Sequence, residues 1–174
     1  MAKLKDLMDI FLQPGEYFVA DSEYQLRTML GSCVSITLWH PLSRIGAMSH
    51  FLLPTRGQHA GPVQELDGRY GDEALELMRL DLLRAGVRIT QCQAKIFGGG
   101  NMFPGHARTE RMHVGRKNGE AARKMLNHHG IPIVSESLFG VGHRQIIFDV
   151  SNGDVWAYQV KLSTEEARAN GLDS

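Results

Sequence analysis

Apolar and polar residues alternate along residues 34–39, as they do in a β-strand that buries one of its faces. The residues of the apolar face are Val34, Ile36 and Leu38. The tetrapeptide His-Pro-Leu-Ser at 40–43 is a turn signal, and the apolar run Ile45–Leu53 follows it as a second predicted strand. This order predicts an antiparallel β-hairpin.

Apolar residues recur at three- and four-residue spacing in two later segments, which is typical of helices that pack on a core. The first helix is predicted over residues 72–86, after a polar, glycine-rich segment at 55–71 that we expect to be a long loop. The second is predicted to begin near Asn118 and to end at residues 129–130. Further strands are predicted at residues 16–20, 89–97, 131–134, 144–150 and 155–161.

The two ends of the chain differ from this pattern. We interpret residues 1–14 as a short amphipathic lead-in of helical character, and residues 163–174 as a loose or helical tail. A chain of 174 residues fits a single domain, so we expect one domain over 1–174 with its core at about 14–161. Because strands and helices interleave, the expected architecture is a layered α/β or α+β domain.

The charge balance and the cysteine count narrow the class of protein. Nineteen basic residues balance nineteen acidic ones, which argues against a nucleic-acid or membrane-surface protein. Two cysteines do not make a disulfide framework, and no apolar run approaches the roughly 20 residues that span a bilayer. We therefore expect a cytoplasmic protein with reduced thiols.

Cys33 and His50 are candidates for a nucleophile and its base. If the hairpin turns at Pro41-Leu42, Cys33 faces His50 directly, with Cβ atoms about 4.5–5.5 Å apart, although a slip of one residue would separate their faces. A nearby imidazole can take the proton of a thiol and later return it to a leaving group. The preceding Gly31 allows a sharp bend, so that the N–H groups of Ser32 and Cys33 could face an oxyanion.

An inert thiol is the competing interpretation, because free cysteines are among the most buried residues. Cys92 illustrates it: strand alternation groups Cys92 with Ala94 and Ile96, as a core thiol. Cys33 instead lies on the more polar face of its predicted strand and follows a Gly-Ser bend. Spacing alone leaves both interpretations of Cys33 open.

A set of ordered motifs resembles the CheD family of chemoreceptor glutamine deamidases. The resemblance covers about residues 14–161, and the set is far more specific than any one motif. The motifs are LGSCVSITLWHP at 30–41, GAMSHFLLP at 46–54, RYGD at 69–72, KIFGGGNMF at 95–103, Val-Gly-x-x-Asn at 114–118, and a closing hairpin with Arg144, Phe148 and Asn152-Gly153.

The resemblance implies a three-layer α/β/α sandwich with a mixed β-sheet, related to deamidating bacterial toxins. It implies hydrolysis of selected glutamines on the cytoplasmic helices of chemoreceptors, the methyl-accepting chemotaxis proteins, to glutamate with release of ammonia. A methylesterase side activity would use the same acyl transfer, and no cofactor is implied.

The resemblance also implies roles for individual residues. Cys33 corresponds to the nucleophile and His50 to the general base and acid. The family's third member is a threonine shortly before the cysteine; here Arg27 occupies the expected position and Thr28 is the neighbouring candidate. Strand alternation would place Thr28 on the face away from Cys33 unless the chain bulges there.

The glycine run at 98–100 lacks the spacing of a dinucleotide or phosphate loop, so we expect it to border the active site, with Gly99 and Gly100 as loop residues. Eight histidines and two cysteines show no metal-ligand spacing, and we expect no metal site.

Two other functions remain open at this point. The resemblance implies a possible partnership with a CheC-type phosphatase of CheY-phosphate, so the protein could be a regulatory binding partner rather than an enzyme. A cysteine peptidase would use the same residue pair, but no peptidase signature is present.

Overall fold

The computed structural model describes residues 6–57, 61–62, 65–103 and 110–160. Within these residues the chain forms nine strands and two α-helices. The first five strands are β1 (Met8–Phe11), β2 (Tyr17–Ala20), β3 (Tyr24–Leu30), β4 (Val34–His40) and β5 (Ile45–Ser49). The remaining elements are α1 (Gly71–Arg84), a short 3-10 helix (Ile89–Gln91), β6 (Gln93–Gly98), α2 (Glu110–His128), β7 (Ile133–Leu138), β8 (His143–Asp149) and β9 (Val155–Val160).

The strands form two sheets. The larger sheet has the order β2-β5-β4-β6-β7, and it is mixed because β6 and β7 are parallel while its other pairs are antiparallel. The smaller sheet has the order β1-β3-β8-β9, with β1 parallel to β3. The predicted hairpin of β4 and β5 lies in the middle of the larger sheet.

One face of the larger sheet packs against both helices. The predicted apolar face of β4 is confirmed, since Val34, Ile36 and Leu38 are almost fully buried in this cluster. Leucine and methionine side chains of α1 lie over them, and Ala122 and Leu126 of α2 complete the layer. The prediction that Cys92 is a core thiol is also confirmed, because it is buried in the same cluster.

The opposite face of the larger sheet packs against the smaller sheet. Leu26, Leu30 and Phe148 of the smaller sheet contact Met48 and Phe97 of the larger one in a second apolar cluster. The α/β class is thus confirmed, but the expected α/β/α order is wrong for the described part of the chain. In that part, the helices cover one face of the larger sheet and the smaller sheet covers the other. Strands β3 and β8 thus occupy the place where a second helical layer was expected.

Several predicted boundaries are corrected by these pairings. Residues 8–11 are a strand and not a helix, because β1 extends the smaller sheet beside β3 and this pairing overrides the amphipathic pattern. The second helix starts at Glu110, earlier than predicted, and the strand expected at 89–97 begins only at Gln93. The closing hairpin is confirmed, whereas the predicted tail at 163–174 lies outside the described residues. No helix in the described ranges is long and apolar enough to cross a membrane.

Candidate active site

Cys33 lies in the short loop between β3 and β4, where the chain passes from the smaller sheet to the larger one. The side chain is half-buried and packs against the cluster between the two sheets. Burial raises the pKa of the Cys33 thiol, and its own backbone N–H offsets part of that rise. The resting sulfur is therefore a neutral thiol that remains partly accessible.

The register of β4 and β5 differs by two residues from the one predicted. Thr37 opposes Met48, and the isolated bridge between Val34 and Phe51 continues the same register. His50 consequently lies diagonally across from Cys33, so the predicted direct opposition is wrong. The two residues still share a face, because a shift of two positions preserves the alternation of a strand.

The regular ladder is interrupted immediately before His50. The hydroxyl of Ser49 accepts a hydrogen bond from the Ile36 N–H at 3.2 Å, in the position where a backbone carbonyl would normally accept it. Beyond this point the His50 backbone pairs with the turn before β2: its N–H donates to the Glu16 carbonyl and its carbonyl accepts from the Gly15 N–H. The main chain of His50 is thus held by residues 15 and 16 and not by β4.

The imidazole of His50 is buried, with 2% of the residue exposed, and its Nδ1 lies 2.7 Å from Thr28 Oγ1. The single hydroxyl proton of Thr28 is donated to the Leu12 carbonyl at 2.8 Å. The Thr28 oxygen can then only accept from His50, which places the imidazole proton on Nδ1 and leaves Nε2 unprotonated. Desolvation lowers the pKa of His50 to about 4, so this neutral form persists at neutral pH.

Thr28 reaches His50 without a bulge, because β3 and β4 belong to different sheets whose inner faces meet. Residues on the inner face of β3 therefore point toward the inner face of the larger sheet. Arg27 lies on the outer face of β3, where it pairs with Asp9 at 2.7 Å and contacts the ring of Phe11. Arg27 thus has a partner outside the site, and the hydroxyl next to His50 belongs to Thr28.

The glycine loop after β6, residues 98–100, supports the Cys33 loop through hydrogen bonds to its carbonyls. The N–H groups of Gly99 and Gly100 donate to the carbonyls of Cys33 and Gly31, both at 2.9 Å. These two N–H groups are therefore not free to bind an oxyanion. Among the described residues, the N–H groups of Ser32 and Cys33 donate to no other residue.

Asn118, at the middle of α2, belongs to the site although sequence reasoning assigned it no role there. Its side chain is fully buried, and Nδ2 donates to the carbonyls of Ser32 at 3.0 Å and Leu52 at 2.8 Å. One amide thus ties the Cys33 loop to the segment that follows His50. The sequence feature that could have indicated this role is the amide residue of the Val-Gly-x-x-Asn motif. The carbonyls that it binds are distant in sequence, so the motif alone does not predict the contact.

The arrangement offers a half-buried thiol, an unprotonated imidazole nitrogen on the same face, and the backbone N–H groups of Ser32 and Cys33, of which the Cys33 N–H interacts with its own sulfur. In the described part of the chain, no hydrogen bond joins Cys33 Sγ to His50. No group of three or more His, Cys, Asp or Glu side chains in the described ranges is placed to hold a metal ion. The site is suited to acyl transfer through the sulfur.

Comparison with known proteins identifies close relatives. Residues 52–159 match the family model described as CheD chemotactic sensory transduction. A protein of Albidiferax ferrireducens named probable chemoreceptor glutamine deamidase CheD 2 is 69% identical over 160 residues, which cover 92% of each chain. A protein of Pseudomonas savastanoi pv. phaseolicola named probable chemoreceptor glutamine deamidase CheD is 45% identical, over 92% of this chain and 90% of its own.

Acidification should reveal the buried, neutral state of His50 as a loss of stability. The pKa of His50 falls from its ordinary value of 6.5 to about 4 on folding, so the unfolded chain binds the additional proton between these values. The stability that this group contributes is complete above about pH 6.5 and is lost as the pH falls toward 4. Between pH 7 and pH 4, the free energy of unfolding of the wild type should fall by about 3 kcal/mol more than that of His50→Gln.

Urea denaturation at each pH measures both proteins, and the variant cancels the contribution of all other titrating groups. Equal losses in the two proteins would mean that His50 is solvated in the folded state.

Replacement of Gly98 by alanine should disrupt the support of the Cys33 loop. Gly98 has a φ of +111°, and a Cβ there would lie 2.2 Å from the Cys33 carbonyl oxygen. Gly86 is the matched control, since its φ is +85° but a Cβ would meet nothing within 4 Å. Gly86→Ala should cost about 1 kcal/mol from backbone strain, and Gly98→Ala at least about 2 kcal/mol more from the collision. Urea denaturation of both variants tests this; equal costs would contradict the close contact.

Proposed function

Because the chain belongs to the CheD family, we propose that it is a protein-glutamine deamidase that hydrolyses selected glutamine side chains of chemoreceptors to glutamate and releases ammonia. Two relatives are named probable chemoreceptor glutamine deamidases. The observation that carries the proposal is the buried His50. Its Nδ1 is bound to Thr28 of the smaller sheet, and its ring lies on the same face of the larger sheet as Cys33. This pairing prepares one imidazole nitrogen to accept a proton.

The first half of the proposed reaction forms a thioester. Cys33 Sγ bonds to the carboxamide carbon of the substrate, and the thiol proton passes to Nε2 of His50 once the two atoms come within hydrogen-bond distance. The N–H groups of Ser32 and Cys33 are the proposed donors to the oxygen that becomes negative. The imidazolium then gives its proton to the amide nitrogen, the carbon–nitrogen bond breaks, and ammonia leaves.

The second half regenerates the thiol. A water molecule attacks the thioester carbon while His50 Nε2 takes one of its protons, and the sulfur leaves and recovers a proton from the imidazolium. The product is a glutamate side chain. The neutral resting state of both groups supports a mechanism in which His50 acts as a general base during attack, and not one that starts from a thiolate–imidazolium pair.

Thr28 and Asn118 are the proposed positioning residues. Thr28 fixes the ring orientation and the tautomer of His50, because its own proton is held by the Leu12 carbonyl. Asn118 fixes the distance between the Cys33 loop and the segment after His50 by binding one carbonyl of each. Gly99 and Gly100 support the loop through its carbonyls and take no direct part in the chemistry.

The proposed substrates are the cytoplasmic helices of chemoreceptors, which places the reaction in the cytoplasm. A receptor methyl ester would undergo the same acyl transfer with methanol leaving, so a methylesterase side activity is part of the proposal. The single domain over 1–174, the absence of a required cofactor or metal, and the relationship to deamidating bacterial toxins stay predictions.

Partnership with a CheC-type phosphatase of CheY-phosphate also stays a prediction. Regulatory binding and catalysis can be separated with Cys33→Ala, which should abolish deamidation. If this variant still stimulates the phosphatase, the two functions are independent, and if it does not, the sulfur itself takes part in the contact.

Cys33→Ala should abolish ammonia release from a co-expressed receptor fragment, because the thioester cannot form without the sulfur. Cys92→Ala is the matched control, since this buried thiol belongs to the helix-side cluster and lies outside the site. Its variant should keep its turnover if it remains folded. The measurement is ammonia release together with the mass change at mapped glutamines. Undiminished release by Cys33→Ala would rule out the nucleophile.

Thr28→Val should lower kcat by about tenfold to a hundredfold with little change in KM. The variant keeps the shape of the side chain but removes the acceptor for His50 Nδ1, so the ring loses its fixed tautomer, and part of the ~10²–10⁴ that a positioned base contributes is lost. Thr28→Ser keeps the hydroxyl and should restore most of the rate. Equal activity of the valine and serine variants would contradict the positioning role.

A further inference from the structure

A cavity of about 220 Å³ adjoins the Cys33 loop and has no part in the proposed chemistry. It shares Gly99 with the site, since this glycine lines the cavity and also donates its N–H to the Cys33 carbonyl. The residues that line the cavity are Gly99, Asn101, His113, Arg116, Phe139 and Gly140. Its polar groups include one guanidinium and one imidazole, and none of the described residues that line it carries a carboxylate.

The ring of Phe139 forms part of the cavity wall. The backbone of Phe139 itself has a strained conformation. Phe139 has a φ of +69°, which is rare for a residue other than glycine. Its N–H donates to the Gly98 carbonyl at 2.8 Å, and its carbonyl accepts from the buried Arg144 guanidinium. The ring edge lies against Gly119 of α2, where a Cβ would be 2.6 Å away. Several contacts therefore hold this ring at one place.

Arg116 lies over this ring with its charge only loosely paired. The centre of its guanidinium is 4.6 Å from the centroid of the Phe139 ring, a cation–π geometry. Its carboxylate partner is Glu120, at 3.7 Å, in an exposed pair that contributes little. Arg123 also contacts the ring, at 5.2 Å, but its guanidinium makes two hydrogen bonds to Glu136. Arg116 is thus oriented by the ring and can exchange its partner.

We propose that this cavity binds a carboxylate side chain of the protein substrate while a neighbouring glutamine occupies the site at Cys33. The inference rests on the proposed function, because it assigns the cavity to the same substrate. A guanidinium placed over a ring keeps its N–H groups available for the fork geometry that a carboxylate accepts, and His113 can add an imidazole N–H. On a helical substrate, one or two turns separate the two side chains by about 5–11 Å.

The reaction itself produces such a carboxylate. Each deamidation converts a glutamine into a glutamate, so a position already converted becomes a ligand for the cavity when a glutamine one or two turns away is presented. A substrate helix that carries an acidic residue at this spacing is therefore the preferred substrate, and conversion of one glutamine favours conversion of the next.

The test combines a substitution in the enzyme with a substitution in the substrate and compares KM for each pair. A receptor cytoplasmic fragment with one mapped target glutamine is compared with a fragment in which the acidic residues one and two turns away are replaced by methionine. For the wild type, this replacement should raise KM about fivefold with kcat unchanged, the upper end for a partly exposed ion pair. Arg116→Gln should raise KM by the same factor on the acidic fragment and should make the enzyme indifferent to the replacement.

Arg84→Gln is the matched control, because Arg84 is an exposed helical arginine that pairs with Asp81 three residues earlier and lines a different groove. It should keep the wild-type preference. Failure of the wild type to release ammonia from either fragment would refute the proposed function itself. A wild type that is active but equally so on both fragments, or an Arg116→Gln enzyme that keeps the preference, would overturn the carboxylate site alone.

Discussion

The hydrogen bond between Thr28 and His50 joins the two sheets at the place where the candidate site is formed. Thr28 projects from the smaller sheet and His50 from the segment after β5, and the bond exists only because the inner faces of the sheets are in contact. A buried imidazole without a partner would lose the hydrogen bond of its N–H to water, so this contact also satisfies a polar group in the core. The orientation of the proposed base therefore depends on the packing of the two sheets against each other.

Backbone groups from three loops complete the site around this bond. The loop at 31–33 donates no N–H to any other residue that the structure describes, but it gives two carbonyls to the glycine loop after β6. That loop in turn binds the segment at 139–142. These contacts join main chain to main chain, so the backbones lie too close together to leave room for a Cβ atom. Gly98 demonstrates this, because a Cβ there would collide with the Cys33 carbonyl. The glycine run is therefore a packing requirement, and it binds the Cys33 loop through carbonyls without using the N–H groups beside the sulfur.

Much of the local structure follows from short-range patterns, and the site does not. The alternation in β4, the core position of Cys92 and the closing hairpin depend on neighbouring residues, so the sequence predicts them. The register of the hairpin depends on its turn, which takes up residues 41–44 and is longer than the predicted turn at Pro41-Leu42. The proximity of Thr28 to His50 depends on a second sheet that lies over an apparently polar face. Ser35 and Thr37 of that face are buried, which strand alternation alone would assign to solvent.

The half-buried position of Cys33 has a consequence for the life of the protein in a cell. Peroxide and alkylating agents react with cysteine through its anionic form, and burial keeps this form scarce. The sulfur is thus less open to accidental oxidation than an exposed thiol, and under the proposed mechanism it becomes reactive only when His50 takes its proton during attack on a bound glutamine.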